Sequence, residues 1–116
     1  MRVERLGDHH QPGSFNCGVQ ALDDWLRDHA LDNRRRNLSR SFALLDDGDR
    51  VVGYYALTMG EVRPEALPAR YGTSLPRYEI GMVLLARFAI AQDHQGQGLG
   101  RDLLIEAIER AADAGT

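Results

Sequence analysis

The sequence predicts an α/β protein, a mixed α+β sheet with helices on its faces, and three observations carry that expectation. Residues 82–90 form an apolar run whose single charge is Arg87, the composition of a strand covered on both faces. A glycine-rich turn follows and passes into a helix. There Leu99, Leu103, Leu104, Ala107, Ile108 and Ala111 recur at helical spacing, and Arg101, Asp102, Glu106, Glu109 and Arg110 take the other side. Upstream, two apolar runs flank the turn-forming stretch Asp46, Asp47, Gly48, Asp49 and Arg50, as in an antiparallel hairpin. The order strand, helix, strand, strand, loop, strand, helix belongs to a sheet with helices packed on it.

Each element has its own signal. Residues 1–6 alternate apolar and charged side chains, which suits an edge strand, and Pro12 with Gly13 closes it off. One helix is predicted from Cys17 to Arg36: Val19, Leu22, Trp25, Leu26, Ala30 and Leu31 share a face, while Asp23 and Arg27 pair on the outside. Trp25 reads as its core anchor. Residues 42–45 and 51–57 are the hairpin strands. Residues 60–78 hold three of the four prolines and little periodicity, so an ordered loop or short helical turn is expected there.

Composition bounds the function. With 116 residues, a net charge of -3 and 43% hydrophobic residues, the chain reads as a single domain spanning 1–116. It has no run of membrane-spanning length and no apolar signal core at its start, so a cytoplasmic location and no membrane association are expected. Cys17 is the only cysteine, which excludes an internal disulfide or a cysteine metal site and leaves a small semi-buried side chain. His9, His10, His29 and His94 lack metal-ligand spacing, so no metal is expected, and His9 with His10 reads as solvated in a polar loop. An apolar strand at 82–90 also requires a neighbour on each side, because an open edge is prone to aggregation.

The chemistry concentrates in Gln95, Gly96, Gln97, Gly98, Leu99 and Gly100. Alternating glycines between a strand and a helix start let the backbone turn tightly and present free amides at the positive end of a helix dipole, an arrangement suited to a diphosphate. The dinucleotide pattern would want glycine where Arg101 stands, and the Gly-Lys-Ser/Thr of nucleotide-triphosphate loops is absent. A plain glycine-rich turn is the alternative.

The spacing Gln-x-x-Gly-x-Gly from Gln95 resembles the pyrophosphate loop of the GNAT superfamily of N-acetyltransferases, and Leu-Ala-Arg-Phe-Ala-Ile before it resembles that family's fourth strand. The resemblance implies acetyl-CoA as cofactor. It places Phe88, Ala89 and Ile90 at a strand bulge, hydrogen-bonding the pantetheine arm through their backbones. The loop of Gln95, Gly96, Gln97, Gly98, Leu99, Gly100 and Arg101 would hold the pyrophosphate. It also implies that the order β-α-β-β-loop-β-α is the N-terminal two-thirds of the fold. A further strand, helix and hairpin would complete it, so the domain is expected to be C-terminally incomplete.

Further stretches narrow the resemblance: Phe15, Asn16, Cys17 and Gly18 followed by Leu22, Asp23, Trp25 and Leu26, then residues 37–42, 52–57 and 85–89. In that order they resemble the acetyltransferase toxins of bacterial type II toxin-antitoxin modules. That implies acetylation of the α-amine of an aminoacyl-tRNA, which blocks translation, and neutralisation by a ribbon-helix-helix antitoxin; a homodimer is left open. Arg34, Arg35, Arg36 and Arg40 form the basic cluster that would meet tRNA, with a solvated helix end as the alternative. Arg87 would face tRNA or antitoxin, or else form a buried salt bridge.

Catalytic residues are harder to place. The family's glutamate base, where one exists, falls on Leu84, which cannot serve, and Glu61 and Glu79 read as strand-end carboxylates. An aminoacyl ester's amine is less basic than a lysine's, which makes positioning the larger contribution. The family's general-acid tyrosine would lie after Thr116, and Tyr54, Tyr55, Tyr71 and Tyr78 do not match its position. No catalytic residue is therefore assigned within the chain, which alone is not expected to turn over. Acetylation of a protein or a small-molecule amine stays open, as does a fragment that only binds acetyl-CoA or antitoxin.

Overall fold

The computed structural model describes residues 1–10, 12–62 and 80–114. Strand β1 (Arg2–Arg5) leads through a 3-10 turn (Pro12–Ser14) to helices α1 (Gln20–Asp28) and α2 (Ala30–Arg35). Strands β2 (Arg40–Leu45), β3 (Val51–Val62) and β4 (Ile80–Ile90) follow, then a 3-10 turn (Gln92–His94) and helix α3 (Leu99–Ala114). The strands lie in the order β1-β2-β3-β4. Each described pair is antiparallel, so the mixed sheet expected from element order is antiparallel over the described strands. No helix among the described residues is long and apolar enough to cross a membrane.

The sheet separates two cores. On one face α1 and α2 cover Ala43, Leu45, Tyr54, Ala56 and Ala89, with Trp25 and Leu26 from α1 and Ala30 from α2. On the other, Leu103 and Ala107 of α3 pack on Phe42, Leu44, Val52, Tyr55 and Ile90. Consecutive residues of β2 alternate between the two clusters, as the two-residue repeat of a strand requires. Trp25 anchors the first core as expected, stacked on Tyr54 with ring centroids 6.0 Å apart. Gly53 is required by crowding in the second: a Cβ there would come within 2.8 Å of the Ile90 side chain.

Three expectations are corrected. The helix over 17–36 is two helices, because His29 leaves helical geometry (φ -126°, ψ -23°); the chain turns there and Ala30 packs with no exposure. Helix α2 then ends in a left-handed Asn37 (φ 57°), with Leu38 N–H donating to the Asn33 carbonyl and Asn37 N–H to that of Arg34, a Schellman closure. Strand β3 runs past Leu57 to Val62, because Gly60, Glu61 and Val62 find partners in Met82, Gly81 and Ile80. The rest of the predicted loop, 63–79, lies outside the described residues. Finally, β4 is not covered on both faces within the described structure: Leu84 and Leu85 are 42% and 43% exposed.

The hairpin turn is as the composition indicates. Asp46 Oδ1 accepts from the amides of Gly48 and Arg50, and Asp49 takes the left-handed conformation that short polar residues tolerate (φ 61°).

Candidate functional site

The turn between β4 and α3 joins the end of the last strand of the described sheet to a helix start. Gly96 and Gly98 take φ +80° and +82°, a region that side chains rarely adopt, and a Cβ at either would meet nothing within 4 Å. Backbone geometry demands glycine at both, and the space over the loop is open. Gly100 differs: it sits in the first turn of α3, and a Cβ would touch Ile90 only at an ordinary 3.8 Å. The first bond closing the helix runs from Asp102 N–H to the Gly98 carbonyl at 3.2 Å. The amides of Gly98, Leu99, Gly100 and Arg101 precede it at the positive end of the helix without helical acceptors. Open space, unpaired amides and exposed residues 95–98 fit a diphosphate.

Gln95 stands apart from its neighbours. Its side-chain Nε2 donates to the carbonyls of Ile90 (2.8 Å) and Cys17 (3.0 Å), so its amide nitrogen holds protein backbone. The same seam is closed by Gln92 N–H on the Asn16 carbonyl at 2.8 Å. Gly18 (φ +93°) approaches Gln92 so closely that a Cβ would lie 2.5 Å from its Nε2. Sequence reading noted Asn16 only within the Phe15 to Gly18 stretch and missed Gln92; their contact spans most of the chain and leaves no local signal.

The expected bulge is displaced. Phe88, Ala89 and Ile90 stay in register with Tyr55, Tyr54 and Gly53, and the shift falls between Ala56 and Leu57, opposite Arg87 and Leu85. Ala86 is the inserted residue, and it is exposed. The core packing of Tyr54 and Tyr55 fixes the register beside them, and the insertion moves to where no core contact resists it. Ala91 N–H donates to Val52 O. Antiparallel alternation therefore turns the backbone of Ala89 towards β3 and that of Phe88 and Ile90 to the outer edge, where Gln95 takes the Ile90 carbonyl.

The arginines expected to meet tRNA are not one projecting cluster. Arg34 donates to the Leu6 carbonyl at 2.8 Å, Arg35 pairs with Asp8 at 3.0 Å, and Arg36 with Asp32 at 3.2 Å. Arg40, at the exposed start of β2, has no ion-pair partner among the described residues. Arg87 forms no ion pair among the described residues; its guanidinium lies over the Trp25 ring, 4.3 Å from the centroid, a cation–π contact.

Among the candidate acids, Tyr54 is fully buried and donates to the Leu22 carbonyl at 2.7 Å. Tyr55 donates to Glu106 and accepts from Arg110 Nε at 2.9 Å. Burial first, then in Tyr55 the carboxylate of Glu106, holds both phenols neutral far into alkali. The side chains of Glu61 and Glu79, with Tyr71 and Tyr78, lie outside the described residues. Burial also raises the Cys17 thiol above its usual range, so this buried cysteine is a poor nucleophile.

His10 is buried rather than solvated, its ring beside His9 and within 3.6 Å of Glu4 Oε1. Three such side chains could in principle hold a cation. The Gly7 amide, however, donates to His10 Nδ1 at 2.9 Å, which leaves the proton of a neutral ring on Nε2, the nitrogen facing Glu4. A protonated nitrogen has no lone pair for a metal.

A helix-bearing sheet with a turn through left-handed glycines between β4 and α3 is an α/β domain, and the chain belongs to the acetyltransferase (GNAT) family, whose model matches residues 7–116. It is 41% identical to the tRNA-acetylating toxin of Mycobacterium tuberculosis over 110 residues, 95% of this chain and 65% of the relative's length. It therefore spans just under two-thirds of that protein. Among solved structures, AtaT complexed with acetyl-methionyl-tRNAfMet superposes with a TM-score of 0.83 at 30% identity, covering 97% of this chain and 69% of that one. A mutant AtaT toxin bound to acetyl-CoA and the C-terminus of the antitoxin AtaR gives a TM-score of 0.76 at 28% identity, covering 97% and 66%.

Proposed function

We propose that this chain is the acetyl-CoA-binding part of an N-acetyltransferase that acetylates the α-amine of aminoacyl-tRNA and so blocks translation as a toxin. The loop geometry carries the reading: left-handed Gly96 and Gly98 under open space at the start of α3. Gly96, Gln97, Gly98, Leu99, Gly100 and Arg101 hold the diphosphate through backbone amides, and Gln95 fixes the loop. The outward backbone of Phe88 and Ile90 lines the pantetheine arm, with Ala89 between them held in the ladder to β3. When bound, acetyl-CoA supplies the acetyl thioester. The chain's residues orient it so that a neutral amine reaches the carbonyl carbon, and positioning lowers the barrier. The toxin and acetylated-tRNA relatives support tRNA as acceptor, and the relative bound to the C-terminus of an antitoxin supports an antitoxin as partner; that this partner is of the ribbon-helix-helix type is part of the proposal.

Mass spectrometry of charged tRNAs incubated with the protein and acetyl-CoA tests this. An N-acetylated aminoacyl ester is the expected product. Acetylated protein or polyamine in its absence overturns tRNA as acceptor.

A further inference from the structure

We infer that the tRNA backbone is held on the α3 face of the sheet by the arginines gathered around Phe42, rather than by Arg34, Arg35 and Arg36; this rests on the reading of tRNA as acceptor. Arg5 lies directly across from Phe42 in the β1–β2 ladder, and Arg40 precedes Phe42 by two residues on β2. Both therefore share the face on which Phe42 packs. From above, Arg110 of α3 lays its guanidinium 4.2 Å from the Phe42 ring centroid. The three arginines, with Leu57 and Asp113, line a cleft of about 410 Å³.

Their charges are not equally available. Arg110 is committed to Glu106 at 2.5 Å and to the Tyr55 hydroxyl. Arg5 and Arg40 are exposed and have no partner among the described residues. Like charges at neighbouring positions of paired strands repel, a cost normally relieved by an intervening carboxylate. Asp113 is the only carboxylate lining the cleft among the described residues. By contrast, Arg35 and Arg36 each bring a carboxylate to the surface beside them, Asp8 and Asp32.

The floor decides between anions. Phe42 and Leu57 are only 6% and 8% exposed, so the cleft offers little apolar surface to anchor a peptide. What it offers is two guanidinium forks without a partner among the described residues, which match phosphate oxygens bidentately. An acidic peptide would instead anchor on the exposed Leu38 and Met59 of the adjoining cleft, which shares Arg40 and Leu57.

Fluorescence anisotropy of labelled tRNA, titrated over a range of salt, tests the assignment. Joint replacement Arg5→Ala and Arg40→Ala is expected to weaken binding at least tenfold and to lower the salt slope by about 2, roughly one for each lost phosphate contact. Joint Arg35→Ala and Arg36→Ala should lower the slope by less than half as much, and Leu38→Ser with Met59→Ser should leave it unchanged. Both arginines are exposed, and circular dichroism verifies that the variant folds. tRNA binding with an unchanged slope in the Arg5 and Arg40 variant, or a larger loss in the Leu38 and Met59 variant, overturns this surface and leaves the acceptor reading standing. Absence of tRNA binding by the unaltered protein overturns the acceptor reading itself.

Discussion

The side-chain amide of Gln95 donates to the carbonyl of Cys17 across 78 residues of chain, and to that of Ile90 beside it. One side chain thereby fastens the end of β4 and the approach to α1 to the start of the glycine loop. Replacing it by alanine leaves two partly buried carbonyls unpaired, at a cost of about 1–3 kcal/mol. Gln95→Ala is expected to lower stability by that order in chemical denaturation and to weaken acetyl-CoA binding in calorimetry. Gln95→Glu should be no better, because a carboxylate cannot donate to either carbonyl. A variant with unaltered stability would remove the clamp.

The three glycines of the loop separate by conformation. Gly96→Ala and Gly98→Ala each force a side chain into left-handed backbone, at about 1–2 kcal/mol, and should lower both stability and acetyl-CoA affinity. Gly100→Ala meets only an ordinary contact with Ile90 and should leave stability unchanged or raise it by up to about 1 kcal/mol. Its effect on acetyl-CoA affinity then reports close approach of the ligand. Equal destabilisation by all three would contradict the geometry.

The stacking of Arg87 on Trp25 predicts coupling between two residues that sequence reading assigned to different roles. Arg87→Ala should cost about 0.5–2 kcal/mol and Trp25→Ala about 3–5 kcal/mol. In a double-mutant cycle the losses should fall short of additive. Strict additivity would show that the cation contributes nothing to the ring.

Tyr54 and Tyr55 set an alkaline limit. Their folded pKa values are raised by burial above the unfolded value of about 10. The stability they confer is complete below pH 10 and is lost as pH rises above it, because only the unfolded phenols ionise readily. Melting temperature should therefore fall steeply above about pH 10, and Tyr55→Phe should shallow the fall. A flat profile to pH 11 would argue against both phenols.

The hairpin, the fourth strand and the last helix were legible in the sequence because each rests on a short-range period or turn composition. The helix's packed face was not: Leu104 and Ile108 are 40% and 59% exposed, while Glu106 and Arg110, read as the outer side, reach Tyr55. The turn before the last helix was legible because left-handed glycines and a helix start lie within six residues. What escaped depends on distant partners. The helix break at His29 answers to the sheet surface under Ala30, and the bulge at Ala86 to the core residues opposite. Burial of His10 needs the Gly7 amide, and the seam of Asn16, Gln92 and Gln95 joins opposite ends of the chain. Glu106 and Arg110 were read only as part of the polar side of the last helix, and nothing local shows that they pair with each other over Tyr55.

Because the spatial order of the strands repeats their order in the chain, most of the sheet can be assembled by zipping each hairpin onto the last. The Asp46 to Arg50 turn would close first, and β4 would add to an existing template. Only β1 must wait for two helices to be folded back before it meets β2. Folding should accordingly be fast for a sheet of this size, with the N-terminal strand docking after the rate-limiting step. Destabilising changes in β1 would then act chiefly on the unfolding rate, and changes around the β2–β3 turn on the folding rate.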